Sequence, residues 1–219
     1  MQTEFDSKSL IDDLEDLFFT WKNCSLCSLH RNRKTPIRGS GLANAKVVVV
    51  MDRFGEEAIG SGLAVAGREG LFVQRLFEEA GADPRVLWYT STVACPTGPY
   101  RSDTRGLQPA AKPGEVSACK PRLHKEIHII KPVFLFSFGS SSLKSLCAKA
   151  QKESEVVGKV IEANIKGNLV EYVVPLMPLP SLGTLYKAQK ERTMWNKTTE
   201  LIQSGLATAQ EINNLRRDR

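Results

Sequence analysis

No apolar run in this 219-residue chain approaches the roughly 20 residues a membrane-spanning helix needs, so an integral helical membrane protein is excluded. The opening MQTEFDSKSLIDD is acidic and polar, unlike a signal peptide, and a cytosolic, reducing setting is expected. Only one close cysteine pair exists, Cys24 and Cys27; a zinc ribbon would bring a second C-x-x-C. Histidine is scarce. Of the three, His124 and His128 have metal-compatible i, i+4 spacing, but H-E-x-x-H and a third ligand are missing, so they read as a solvated helix face, with His30 in a basic loop. The Gly-rich stretch 55–70 fits neither G-x-x-x-x-G-K-[ST] nor G-x-G-x-x-G, which argues against a nucleotide-phosphate cradle. No internal repeat or domain-splitting linker occurs. One domain over 1–205 is expected, followed by a polar, frayed tail at 206–219.

What is present points toward a polyanion. The formal net charge is +6 and the sequence pI about 9.1, which favours phosphate-bearing partners. Five cysteines without an export signal suggest a metal site or buried thiols rather than a disulfide framework.

Along the chain, Leu10, Ile11, Leu14, Leu17, Phe18 and Trp21 recur at helical spacing, with Ser9 and Asp12 as a capping box. Residues 46–51 form a continuous apolar strand that runs into the Gly-punctuated loop 52–70, which carries Asp52. A helix over 71–80, a strand over 86–93, a long Pro-containing excursion over 96–114 and a helix over 115–130 follow. Then come a strand over 132–138, a helix over 140–150, a hairpin of 160–165 with 169–176, and a last helix over 185–203. Strands alternating with helices predict a parallel-sheet α/β sandwich, whose ligand site belongs at the carboxyl ends of the strands.

Cys24 and Cys27 can reach one metal centre, and Cys95 and Cys119 supply two further thiols from other segments. Four thiolates from three segments suit an iron–sulfur cluster or a zinc ion; the lone C-x-x-C pair tilts toward the cluster. Cys147, on an apolar helix, reads as core.

Several segments together resemble the iron–sulfur, thermophile-type (family 4) uracil-DNA glycosylases, over most of the span 24–181. The family's C-x-x-C-x-L-x-x-x-R is met by Cys24, Cys27, Leu29 and Arg33, and its Gly-x-Gly by Gly39-Ser40-Gly41. Its G-E-A-P-G strand-loop and G-R-P-F-V-G-R-A-G stretch align with 50–70 without a gap. T-N-V-V-K-C becomes Thr90-Ser91-Thr92-Val93-Ala94-Cys95, and P-x-E-I-A-A-C-R-P-Y-L becomes 113–123. R-P-K-V-I-V-A-L-G resembles 131–139, and the late H-P-S is Leu179-Pro180-Ser181. The resemblance implies a three-layer α/β/α sandwich around a central, mainly parallel four-stranded sheet. It also implies a Cys24, Cys27, Cys95, Cys119 centre for a 4Fe-4S cluster, with zinc the alternative.

The departures fall on the chemistry that the resemblance implies. The family's late His donates toward the departing uracil anion; Leu179 donates nothing, and loss of one such donor costs roughly 10²–10³ in rate. The Asn that reads the base edge is Ser91, and the Phe that stacks on a flipped base is Val65, which line the expected substrate pocket with Gly55 and Leu179. The carboxylate is Asp52 in place of Glu, flanked by Arg53, with Phe54 where the family has Pro. Cations Arg101, Arg105, Lys112, Lys187, Lys190 and Arg192, with Pro180 and Ser181, flank the loops where the family meets DNA.

The expected function is an iron–sulfur, DNA-binding protein of DNA repair or replication with uracil excision weak or lost. Two alternatives stand beside it: an active glycosylase on uracil or another damaged base, and a replication accessory factor that uses the same face against a protein. The expected partners are DNA, through its phosphate backbone and a flipped base, and a replication or repair protein. No membrane partner is expected, and the chain is taken as a monomer.

Overall fold

The structure is a computed structural model that describes residues 2–33, 35–98, 109–149, 151–167, 170–188 and 192–217. In chain order the elements are α1 (Gln2–Lys22), β1 (Ser40–Gly41), β2 (Val47–Met51), α2 (Glu56–Ser61), α3 (Gly67–Glu79), β3 (Trp88–Ser91) and α4 (Pro113–Ile130). They continue with β4 (Phe134–Phe138), α5 (Gly139–Leu146), α6 (Glu153–Val156), β5 (Ile161–Lys166), β6 (Glu171–Leu179), α7 (Leu182–Lys187) and α8 (Arg192–Arg217).

The six strands make one sheet in the order β1-β3-β2-β4-β6-β5. Its four central strands β3, β2, β4 and β6 are mutually parallel, while β1 and β5 add antiparallel edges. The expected four-stranded parallel sheet is thus the centre of a wider one. The hairpin around 167 holds, and it places β5 as the outer strand.

A parallel sheet covered on both faces needs strands apolar on both sides. In β2, Val47, Val49 and Met51 face a cluster with Phe136 of β4 and with Phe72, Phe77 and Ile202 from one layer of helices. Val48 and Val50 face Leu123, Ile127, Leu143 and Leu146 from the other. Each residue step along the strand switches layer, so the run of four valines feeds both cores. Gly205 lets α8 lie close to the sheet, because a Cβ there would stand 2.6 Å from the Phe136 ring.

Three sequence expectations are corrected. The first helix starts near Gln2 rather than at a Ser9 cap: with no Pro or Gly between Gln2 and Lys22, nothing breaks it. The final helical region is two helices, and α7 begins where Ser181 Oγ caps by accepting from the Thr184 N–H at 3.1 Å. The tail 206–219 is not frayed through its length. α8 runs to Arg217, with Ala209 buried and Leu206 and Ile212 packed on the core. None of the described helices is long and apolar enough to cross a membrane.

Candidate functional site

The ends of the parallel strands bring together segments far apart in sequence. Asp52 and Gly55 follow β2, Ser91 ends β3 beside Met51, Gly139 follows β4, and Leu179 ends β6 beside Phe138. Open α/β sheets bind ligands at this edge.

Asp52 is 3% exposed. Its Oδ2 accepts from Arg53 Nε at 3.1 Å and Nη2 at 3.0 Å, while Oδ1 is buried without a hydrogen-bond partner among the described residues. Burial pushes the Asp52 carboxyl above its usual range, against the pull of the Arg53 guanidinium. Gly139, at φ 78°, is required on two counts: the left-handed backbone, and a Cβ that would stand 2.7 Å from Asp52 Oδ2. Glu153, a residue that sequence reasoning did not single out, faces the same turn. Its Oε1 accepts from the Ser181 N–H at 3.2 Å, and burial first, then the nearby Asp52, raise its carboxyl.

The remaining expected site residues divide. Ser91 is buried and its hydroxyl donates to the Val93 carbonyl at 2.6 Å, so it turns back into its own loop. Leu179 is fully buried in the apolar cluster that holds Phe54, Phe138 and Leu182. Val65 packs half-buried on that cluster. Pro180 and Ser181 are half-buried at the turn before α7, and Lys187 is exposed in the last turn of α7. Arg101, Arg105 and Lys190 lie outside the described residues.

Beside this edge, α2 and α3 face each other through two carboxylates. Glu69 is buried, and its Oε2 lies over Gly55, where a Cβ would be 2.2 Å away; Glu57 lies over Gly67 in the same way. Burial first, then its hydrogen bond to Glu57, raise the Glu69 carboxyl, and the same hydrogen bond lowers Glu57. The G-R-A-G pattern quoted above has Ala at this position, so the acid was visible as a departure. The buried Arg122 replaces the Tyr of P-Y-L; it pairs with Glu126 at 2.6 Å and its Nη2 donates to the Ser91 carbonyl.

Cys24, Cys27, Cys95 and Cys119 line one small cavity, with Leu26, Leu29, Val93, Ala94 and Ala118 as its apolar wall. Arg33 donates to Cys95 Sγ at 3.2 Å and to the carbonyls of Lys22 and Cys24 at 2.8 Å each. Burial pushes the Cys95 thiol up and Arg33 draws it down. A largely apolar pocket with four thiols and a guanidinium, also bordered by His30 and Glu115, suits an anionic thiolate-bound group. Among the described residues, no three His, Cys, Asp or Glu side chains form a group set to hold a metal ion. Cys147 is buried core, as expected. His124, expected on a solvated helix face, is instead 2% exposed: its ring bonds the Ser145 carbonyl at 2.7 Å and accepts from the Lys166 N–H at 2.9 Å.

A central parallel sheet between two helical layers, with a carboxylate and tight turns at its strand ends, defines an α/β sandwich protein. The model of the uracil DNA glycosylase superfamily matches residues 39–202, and the chain belongs to that superfamily. A type-4 uracil-DNA glycosylase of Pyrobaculum aerophilum is 29% identical over 170 residues, covering 76% of this chain and 83% of that protein. One of Thermotoga maritima is 26% identical over 166 residues, covering 75% and 78%. A DNA polymerase of Bacillus phage SP01 is 25% identical over 181 residues, which is 82% of this chain but 18% of that protein.

Proposed function

We propose that this chain is an iron–sulfur, DNA-binding member of the superfamily, acting in DNA repair or replication, with uracil excision weak or lost. The observation that carries the reading is Leu179. It ends β6 at the strand-end edge, fully buried among apolar side chains, where the resemblance places the donor to the departing base. A base leaving as an anion meets no hydrogen-bond donor from this position. Ser91, with its hydroxyl committed to Val93, and Val65, which lacks a ring, weaken the base reader and the stack in the same pocket. Groups that act as a unit fail together.

The cysteine cavity supports the cofactor reading. Cys24, Cys27, Cys95 and Cys119 would hold the cluster, and Arg33 would balance its negative charge. The cluster would serve as a covalent staple between the end of α1, the loop after β3 and α4, since the free energy of metal binding contributes to folding. Arg33 orients this region by bonding the carbonyls of Lys22 and Cys24. The net charge of +6 supports a phosphate-bearing partner, and Lys187 lies beside the turn that ends the site.

Two other readings have specific support. Asp52 keeps a carboxylate at the strand end, which favours excision of a different base. The polymerase relative carries a matching region within a much longer chain, which favours a replication setting.

The test is excision from oligonucleotides that contain uracil, hypoxanthine, xanthine or an oxidised base, together with DNA affinity as a function of salt. Salt-dependent binding with uracil release at least about 10²-fold below that of an active relative is expected. Rapid release of uracil would overturn the reading. Loss of all salt-dependent DNA binding would favour a protein partner instead.

A further inference from the structure

Neither oxygen of Asp52 is available to a water molecule. Oδ2 carries two bonds from one guanidinium, at 3.1 and 3.0 Å, and lies close over Gly139. Oδ1 is sealed, with no hydrogen-bond partner among the described residues. A carboxylate in this state can neither orient a nucleophilic water nor present an uncompensated charge.

The path of Arg53 accounts for the seal. Its side chain is 16% exposed and runs from the end of β2 to the first turn of α7. There it meets Gly183, where a Cβ would stand 3.1 Å from Nη1 and 3.3 Å from Cζ. The absence of a side chain at Gly183 makes room for the guanidinium plane. Arg53 thereby links the end of β2 to the first turn of α7, which follows β6, across the end of the intervening strand β4. Glu153, the other carboxylate facing this turn, is committed through Oε1 to the Ser181 N–H, so it does not take over from Asp52.

We propose that Arg53 is a specificity-determining residue that latches Asp52, cancelling the negative charge that would otherwise favour a cationic sugar at this strand-end edge. Cleavage of an N-glycosidic bond leaves positive charge on the sugar as electrons depart with the base. A lone carboxylate attracts that charge directly, whereas an ion pair presents only a dipole, whose field falls faster with distance. The latch rests on the functional reading above, and it adds a second, independent cause for weak excision beside Leu179.

The test needs no turnover. Two oligonucleotides, identical except at one position, would carry either a neutral tetrahydrofuran abasic site or its cationic pyrrolidine counterpart. The ratio of the two affinities reports the charge that Asp52 presents. The protein is expected to bind both within about twofold, and Arg53→Gln to prefer the cationic strand by at least about tenfold. The double substitution Asp52→Asn with Arg53→Gln, which leaves no unpaired buried charge, should return the ratio to that of the unaltered protein. This second comparison holds even where Arg53→Gln alone fails to fold. A cationic preference in the unaltered protein that disappears in the double variant would show Asp52 unlatched and overturn the proposal. So would a folded Arg53→Gln protein whose ratio stays unchanged as pH is raised to about 9, since burial without the guanidinium favours the neutral acid and only the ionised form presents charge. Absence of binding to either strand would instead remove the DNA reading and the latch with it.

Discussion

Arg33 and Cys95, 62 positions apart in the chain, meet where the guanidinium Nη1 donates to the thiol sulfur at 3.2 Å. The same side chain holds two carbonyls near the C-x-x-C loop, so one residue joins the first and second thiol-bearing segments. Protein purified without oxygen is expected to be brown, with about four iron and four sulfide per chain. Cys95→Ser or Cys119→Ser should bleach it, and removal of the metal should lower the melting temperature. A colourless protein with stoichiometric zinc would refute the cluster assignment.

Glu126 is the hub of a buried polar network. It accepts from Trp88 Nε1 at 2.9 Å, Thr90 Oγ1 at 2.8 Å and Arg122 Nη1 at 2.6 Å. Glu126→Ala strands a buried guanidinium and two neutral donors, and should cost about 3–5 kcal/mol in denaturant unfolding. Removing both charges, with Arg122→Met and Glu126→Leu, should recover much of that loss, because the unpaired charge is the main penalty. Equal destabilisation by the single and double variants would contradict this account.

The Glu57–Glu69 pair predicts a dependence on pH with a definite sign. Glu69 is raised in the folded state, chiefly by burial, so its stabilising contribution is present below the ordinary glutamate range. That contribution is lost as pH rises through the raised value. Glu57, exposed and lowered, acts in the opposite sense and more weakly under solvent screening. Glu69→Gln, which imitates the protonated acid, should raise the melting temperature by about 2–4 °C at pH 8 and change it little at pH 4. A melting curve displaced equally at both pH values would count against the shared proton.

Gly139 supports Asp52 from below. Gly139→Ala combines a left-handed backbone with a Cβ 2.7 Å from Asp52 Oδ2, and should destabilise by on the order of 2 kcal/mol. Gly81→Ala, also at positive φ (89°) but with nothing within 4 Å of the new Cβ, is the matched control and should cost only the backbone strain, about 1 kcal/mol. Similar losses at the two positions would argue that backbone freedom, not contact with Asp52, sets the cost.

The central strands were legible in the sequence because they are buried on both faces. The valines of β2 and the Phe134–Phe138 strand have no polar alternation to be confused with a loop. The cysteine set was legible as residue types and spacing, and the glycines of 55–70 as turns. The residues with altered chemistry, Leu179, Ser91 and Val65, were visible as departures from a shared pattern. The edge strand β1 was not, since two residues that pair through their backbone leave no side-chain signature. Nor was the full length of α8, whose polar composition hid buried Ala209 and half-buried Ile212.

By itself, then, the sequence determined the α/β class, the strand-end position of Asp52 and an apolar residue at 179, because each depends on local pattern and residue type. Only the tertiary structure decided the state of Asp52. Its burial, the two bonds from Arg53 to one oxygen, the room made by Gly183 and the diversion of Glu153 to Ser181 arise where β2, β4, β6 and α6 converge. The strength of a charge depends on its neighbours in space, and those neighbours come from segments the chain brings together only on folding.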